Sequence, residues 1–91
     1  MKVKEGFMLK EICGEYLIVP VGAQSIEFRS IIKLNETGVL LWELMQNDVS
    51  EHDLVDAIME KYNAEETVVS ADVSAFCQRL SEAGLLEEWV R

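Results

Sequence analysis

The chain has 91 residues, of which 49% are hydrophobic, and it carries a formal net charge of −9. This length suits a single domain over residues 1–91, and the hydrophobic share is enough for a packed core and too high for a disordered chain. It contains no run of about 18 apolar residues, no signal-peptide pattern and only two, widely separated cysteines. We therefore expect a cytoplasmic protein with reduced thiols and no membrane partner.

The acidic charge lies in the second part of the chain. Residues 1–34 hold five basic and four acidic groups, whereas residues 35–91 hold three basic and thirteen acidic groups. Phosphate binding depends on clustered Lys and Arg, so the −10 balance of residues 35–91 argues against a nucleic-acid partner. The same charge disfavours attraction to an anionic membrane surface.

The first third of the sequence predicts three strands. Residues 7–13 and 15–21 flank Gly14, which is the natural turn residue of a hairpin. Pro20 cannot donate to a ladder, so it should lie at an edge or where pairing ends. After a second turn at residues 22–24, residues 25–34 alternate between an apolar face and a mostly charged one. That alternation is typical of a half-exposed strand.

The next segment predicts two helices with recognisable starts. Asn35 is a good N-cap for a strongly apolar helix over residues 36–46. Ser50, with Asp53 three residues later, is close to a capping box and should start the second helix. Residues 54–62 of that helix carry one apolar stripe at helical spacing.

A third helix is predicted to start between residues 67 and 70 and to end at Gly84. Its apolar stripe consists of Val69, Val73, Phe76, Cys77 and Leu80. Three strands followed by three helices predict an α+β domain with segregated elements. A short antiparallel sheet of three strands cannot close on itself, so two edges remain and one of them is potentially free.

The titratable residues indicate no catalytic or metal site. His52 is the only histidine, and one imidazole without further ligands predicts a solvated helix start. Cys77 lies on the apolar stripe and Cys13 ends a strand, so neither thiol has the setting of a nucleophile. The carboxylates avoid apolar runs, and Gly-rich phosphate loops are absent. We expect no enzyme activity, no metal and no cofactor.

The junction between the third strand and the first helix carries a recognisable motif. The run IIKLNETG at residues 31–38, followed by VLLWEL, resembles the signature of PqqD-like proteins. These proteins are also called RiPP recognition elements, after the ribosomally made, post-translationally modified peptides that they serve. Residues 50–62, and the third helix with its AGLL ending at residues 83–86, are similar to the family too. The resemblance covers residues 7–88 and is loosest in the first two strands.

The resemblance implies both a fold and a function. The implied fold is three antiparallel strands packed on a three-helix bundle, like a winged helix-turn-helix. In the family, the leader segment of a precursor peptide adds as a further strand against the third strand. The domain then presents this segment to a modifying enzyme, often a radical S-adenosylmethionine enzyme, and performs no chemistry itself.

Carried over by position, the resemblance implies a peptide-binding groove between the third strand and the third helix. Its strand side comprises Ser30, Ile31, Ile32, Lys33 and Leu34. Its helix side comprises Val73, Phe76, Cys77, Arg79 and Leu80. Some of these helix residues must face the core, and large apolar or Arg side chains make the better interface anchors. Arg79, together with Arg29 and Lys33 on the charged face of the third strand, favours an acidic or partly acidic leader.

Two other functions fit the same elements. A general protein-interaction subunit of an operon-encoded complex is one, and the absence of a precursor peptide gene nearby would favour it. A winged-helix nucleic-acid binder is the other, but residues 67–86 hold Arg79 as their one basic residue, against Asp72 and Glu82. A free sheet edge can also pair with the same edge of another copy, so a homodimer is a further alternative.

Overall fold

We describe the protein from a computed structural model, in which residues 1–22 and 31–87 are described. Within these ranges the elements are β1 Phe7–Ile12, β2 Glu15–Pro20, β3 Ile32–Leu34, α1 Glu36–Leu44, α2 Glu51–Lys61 and α3 Glu66–Glu82. The strands form one antiparallel sheet in the order β1-β2-β3, so the predicted α+β fold is confirmed. The likeness to a winged helix-turn-helix and the single domain over residues 1–91 stay predictions.

β1 and β2 form the predicted hairpin, with a two-residue turn at Cys13 and Gly14. Both residues have positive φ, 52° and 78° respectively, as in a type I′ turn, whose twist matches that of the flanking strands. Glycine adopts this conformation without steric cost, which explains its place in the turn. The paired register of the hairpin ends at Phe7 and Pro20, so Pro20 lies at the end of the paired residues, as predicted.

β3 is described only at the end of the predicted strand. The predicted strand segment 25–30 and residues 23–24 of the predicted turn lie outside the described residues. In the part that is described, the predicted alternation is confirmed, because Ile32 and Leu34 are buried and Lys33 is exposed. Two buried side chains therefore attach this short strand to the helices.

α1 and α2 begin at the predicted caps. The Asn35 side chain accepts a hydrogen bond from the N–H of Gly38 at 2.8 Å. Ser50 and Asp53 form a complete capping box, with each side chain bonded to the other residue's main-chain N–H. These bonds fix where each helix enters from its preceding segment.

α3 begins one residue before the earliest predicted start, so that boundary was wrong. Its N-cap, Glu65, makes no side-chain hydrogen bond to the helix, which is why no capping signal marks the start. The predicted end is confirmed, and Gly84 has a φ of 81°. Leu85 donates its N–H to the carbonyl of Leu80 at 2.9 Å, the long bond of a Schellman motif.

The buried side chains form one cluster that joins the sheet, the helices and both flanking segments. The sheet contributes Ile18, Ile32 and Leu34. α3 contributes Val69, Val73, Cys77 and Leu80, which we call the core face of α3. A β-bridge between Val3 and Leu86 also places the segment before β1 beside the segment after α3.

Candidate functional site

The LNETG motif, residues 34–38, forms the tightly packed junction between β3 and α1. Gly38 is buried, and a Cβ added there would lie 3.3 Å from Oδ1 of Asn35 and 3.3 Å from two side-chain atoms of Leu34. A larger residue would press against both the cap and the end of the strand. The glycine and its cap therefore hold β3 close to the start of α1.

The hairpin sets the direction of every main-chain group in the sheet. A two-residue turn makes its flanking pair, Ile12 and Glu15, a hydrogen-bonded pair, and bonded and non-bonded pairs then alternate along the ladder. The N–H of Val21 donates to the carbonyl of Gly6 at 2.8 Å, which agrees with this alternation. We infer that Leu17 directs its main-chain groups toward β1.

Lys33 therefore turns its main chain away from β2. Its partner across the ladder is Leu17. Because the main-chain N–H and carbonyl of Leu17 are directed toward β1, Leu17 and Lys33 exchange no main-chain hydrogen bonds with each other. The N–H and carbonyl of Lys33 then face the outer side of β3, where the described part of the chain places no further strand. Outward main-chain groups on an edge strand are a template for the addition of another strand.

A pocket of about 480 Å³ lies among the three helices, and no residue of β3 lines it. α3 lines it with Val68, Asp72, Ala75, Phe76 and Arg79, which we call the groove face of α3, and with Val69 and Val73. The other walls are formed by Asn35, Thr37, Gly38, Leu41, Ile58, Tyr62 and Ala64. Val68 is 53% exposed and Phe76 is partly buried, so the pocket presents apolar surface to a ligand.

Arg79 connects the pocket to the edge of the sheet. Its Nη2 donates to the main-chain carbonyl of Lys33 over 3.2 Å. The two residues are 46 positions apart in sequence. The acceptor is the same carbonyl that the alternation of bonded and non-bonded pairs in the hairpin directs away from β2. The pocket wall therefore reaches the edge of β3 through this hydrogen bond.

The structure places the sequence-predicted site residues in different settings. The pocket is lined by Val73, Phe76 and Arg79. The side chains exposed on the strand side are Ile31 and Lys33. The side chains buried in the core, each at most 6% exposed, are Ile32, Leu34, Cys77, Leu80 and also Val73, which lines the pocket as well. Ser30 lies outside the described residues.

Most of the groove face was missed at the level of sequence. Its residues 68, 72, 75, 76 and 79 repeat the spacing of the predicted apolar stripe, shifted by one position. Two overlapping stripes with the same period cannot be told apart by periodicity. The available signal was composition, because the groove face combines Val68 and Phe76 with the charged Asp72 and Arg79.

The charged and titratable groups show no catalytic arrangement among residues 1–22 and 31–87. Burial, with a smaller contribution from the Glu51 charge, raises the pKa of the Cys77 thiol to about 12, so it stays protonated at neutral pH. His52 is exposed and lies 3.2 Å from Asp56. In the same ranges no three His, Cys, Asp or Glu side chains are grouped as a metal site requires, and no helix is long and apolar enough to cross a membrane.

The comparisons with known proteins agree with this architecture. The family model described as Coenzyme PQQ synthesis protein D (PqqD) matches residues 15–86. A solved structure of TbiB1 in complex with the TbiA(beta) leader peptide superposes with a TM-score of 0.79 and 22% identity, covering 100% of both chains. A solved structure of a lasso peptide synthetase B1 complexed with the leader peptide superposes with a TM-score of 0.71 and 18% identity, covering 92% of this chain and 93% of that one. No curated protein matches the sequence.

Proposed function

The chain belongs to the PqqD family, and from this premise we propose that it binds the leader segment of a ribosomally made precursor peptide without catalysing a reaction on it. The observation that carries the proposal is the outward main chain of Lys33, whose carbonyl accepts a hydrogen bond from the pocket residue Arg79. Strand addition of this kind takes affinity from main-chain hydrogen bonds and selectivity from side-chain pockets. The two solved structures named above, both leader-peptide complexes, support the same assignment.

In this proposal the leader adds to the outer edge of β3. The buried side chains of Ile32 and Leu34 hold that strand in place, and they belong to the same buried cluster as the core face of α3. Side chains of the leader enter the pocket, where Phe76 offers an apolar wall and Arg79 a charged one. Affinity and selectivity are thereby assigned to different parts of the site.

The wider assembly is part of the proposal and rests on the resemblance. The bound leader is presented, in the cytoplasm, to a modifying enzyme of the radical S-adenosylmethionine class or to another maturation enzyme. A homodimer that pairs through the β3 edge would use the same main-chain groups as the leader. Dimerisation by that edge and leader binding therefore exclude each other.

The test is a titration with the synthetic leader segment of the precursor peptide encoded beside this chain's gene. We expect a dissociation constant on the order of micromolar or tighter, which corresponds to about −8 kcal/mol or better. In NMR spectra the amide signals of residues 31–34 and of the groove face should move. A titration with neither heat nor shifts at those residues would contradict the proposal.

Binding of random-sequence duplex DNA is the matching control. The −10 charge of residues 35–91 predicts no retardation of the duplex at micromolar protein and physiological salt. Retardation, combined with no response to the leader, would favour a winged-helix nucleic-acid binder. No response to either ligand would favour a general protein-interaction subunit.

A further inference from the structure

In the free protein, Arg79 occupies the acceptor that an added strand needs. The outward carbonyl of Lys33 accepts Nη2 of Arg79 at 3.2 Å. Neighbouring strands in a sheet lie about 4.7–4.9 Å apart, so a guanidinium at this distance stands within the space of the next strand. A leader that pairs with β3 must displace it.

We propose that leader binding exchanges this hydrogen bond. A main-chain N–H of the leader replaces Arg79 at the carbonyl of Lys33, and the released guanidinium binds the side chain of a leader Asp or Glu close to that N–H. Arg79 is then the residue that selects the leader at this position. The inference rests on the proposed function and adds to it the chemistry of one specificity position.

The charges around Arg79 favour a carboxylate as its new partner. The Arg79 guanidinium is a cation, and within the described ranges it forms no ion pair. Asp72 lines the same pocket, but seven residues on a helix separate it from Arg79 by about 10 Å along the axis. The other nearby cation, Lys33, is already 2.7 Å from Glu15. Among the described residues, the site thus offers one cation suited to a bidentate carboxylate.

The net charge of the protein favours a leader with a single carboxylate near Arg79 over one with many acidic residues. A leader with many acidic residues would be repelled by a chain of net charge −9. One carboxylate next to Arg79 gains a short-range, charge-assisted contact without that general repulsion. The sequence-level expectation of a partly acidic leader is thereby narrowed to one position.

The experiment pairs protein variants with peptide variants. The probe is the synthetic leader of the neighbouring precursor peptide, with each Asp or Glu replaced in turn by Asn or Gln. Each peptide is titrated by calorimetry into the wild type, Arg79→Met and the control Lys10→Met, which removes an exposed cation from β1. In parallel, the carbonyl 13C shift of Lys33 is measured in the free and leader-bound proteins.

We expect one peptide position to be coupled to residue 79. At that position, Arg79→Met should weaken binding of the acidic leader about tenfold, which equals about 1.4 kcal/mol. The same variant should bind the neutralised leader at least as tightly as the wild type does, because no bond to Lys33 has to break. The Lys33 carbonyl shift should differ between wild type and Arg79→Met in the free proteins and converge in the bound ones.

Three results would overturn the exchange. One is that every peptide substitution affects the wild type and Arg79→Met by the same factor. Another is a Lys33 carbonyl shift that is the same in both free proteins. The third is tight binding of a leader that has no Asp or Glu. Failure of the proposed function is recognised separately, because the unmodified leader would then give no heat with the wild-type protein.

Discussion

The two faces of α3 have the same residue spacing and opposite surroundings. The core face, Val69, Val73, Cys77 and Leu80, is at most 4% exposed. The groove face, one position earlier along the chain, includes Val68 at 53% exposure and the exposed Arg79. The core face is packed inside the protein, whereas the groove face leaves apolar surface and a positive charge accessible to a ligand. Substitutions on the first should change stability, and substitutions on the second should change binding.

The largest effect is expected from Leu80→Ala on the core face. The Leu80 side chain is fully buried, so truncating it to Ala leaves a cavity in the core. The residue lies at the end of α3, where its carbonyl accepts the long hydrogen bond of the Schellman motif. The free energy of unfolding should fall by about 2–5 kcal/mol, as measured by urea denaturation. A change below about 1 kcal/mol would break the comparison, since it would show that this face is loosely packed.

Phe76→Ala tests the residue that belongs to both stripes. Phe76 is partly buried against the core and also lines the pocket. The variant should lose about 2 kcal/mol of stability, less than a fully buried Phe, and should bind the leader about tenfold more weakly. Denaturation and calorimetry on the same sample separate the two effects. Unchanged leader affinity in the folded variant would assign Phe76 to the core alone.

Arg79→Glu isolates the groove face. An exposed side chain should leave the free energy of unfolding within about 0.5 kcal/mol of the wild type. Leader binding should nevertheless weaken by about 1–3 kcal/mol, because a charge-assisted contact becomes a like-charge clash. Lys10→Glu on β1 makes the same charge change at the opposite edge of the sheet and serves as the control. Equal losses in both variants would indicate a general charge effect.

The smallest effect is expected at the cap that joins the groove to β3. Asn35→Ala removes the acceptor for the N–H of Gly38 and should lower stability by about 1 kcal/mol, within a range of about 0.5–2. Asn35→Asp keeps an acceptor at the same place and should retain most of the stability. If both variants have the wild-type denaturation midpoint, the cap contributes nothing to the junction.

Local signals made much of the fold predictable from the sequence. The turn at Gly14, the cap at Asn35, the capping box at Ser50 and the helix end at Gly84 each act over six residues or fewer. The start of α3 was missed by one residue because Glu65 supplies no such signal. The resemblance that led to the family likewise rests on a short run at the β3–α1 junction, where cap and glycine spacing are local.

The site required the tertiary structure. The sequence alone determined that α3 carries an apolar stripe and that Arg79 lies beside it, but two stripes of one period overlap there. Only the packing of α1 and α2 decided which stripe is buried and which lines the pocket. The hydrogen bond from Arg79 to Lys33 spans 46 residues, and its acceptor faces outward because the hairpin sets the phase of the whole sheet. Periodicity along one element carries no information about which distant element covers it, and that is the physical reason for the difference.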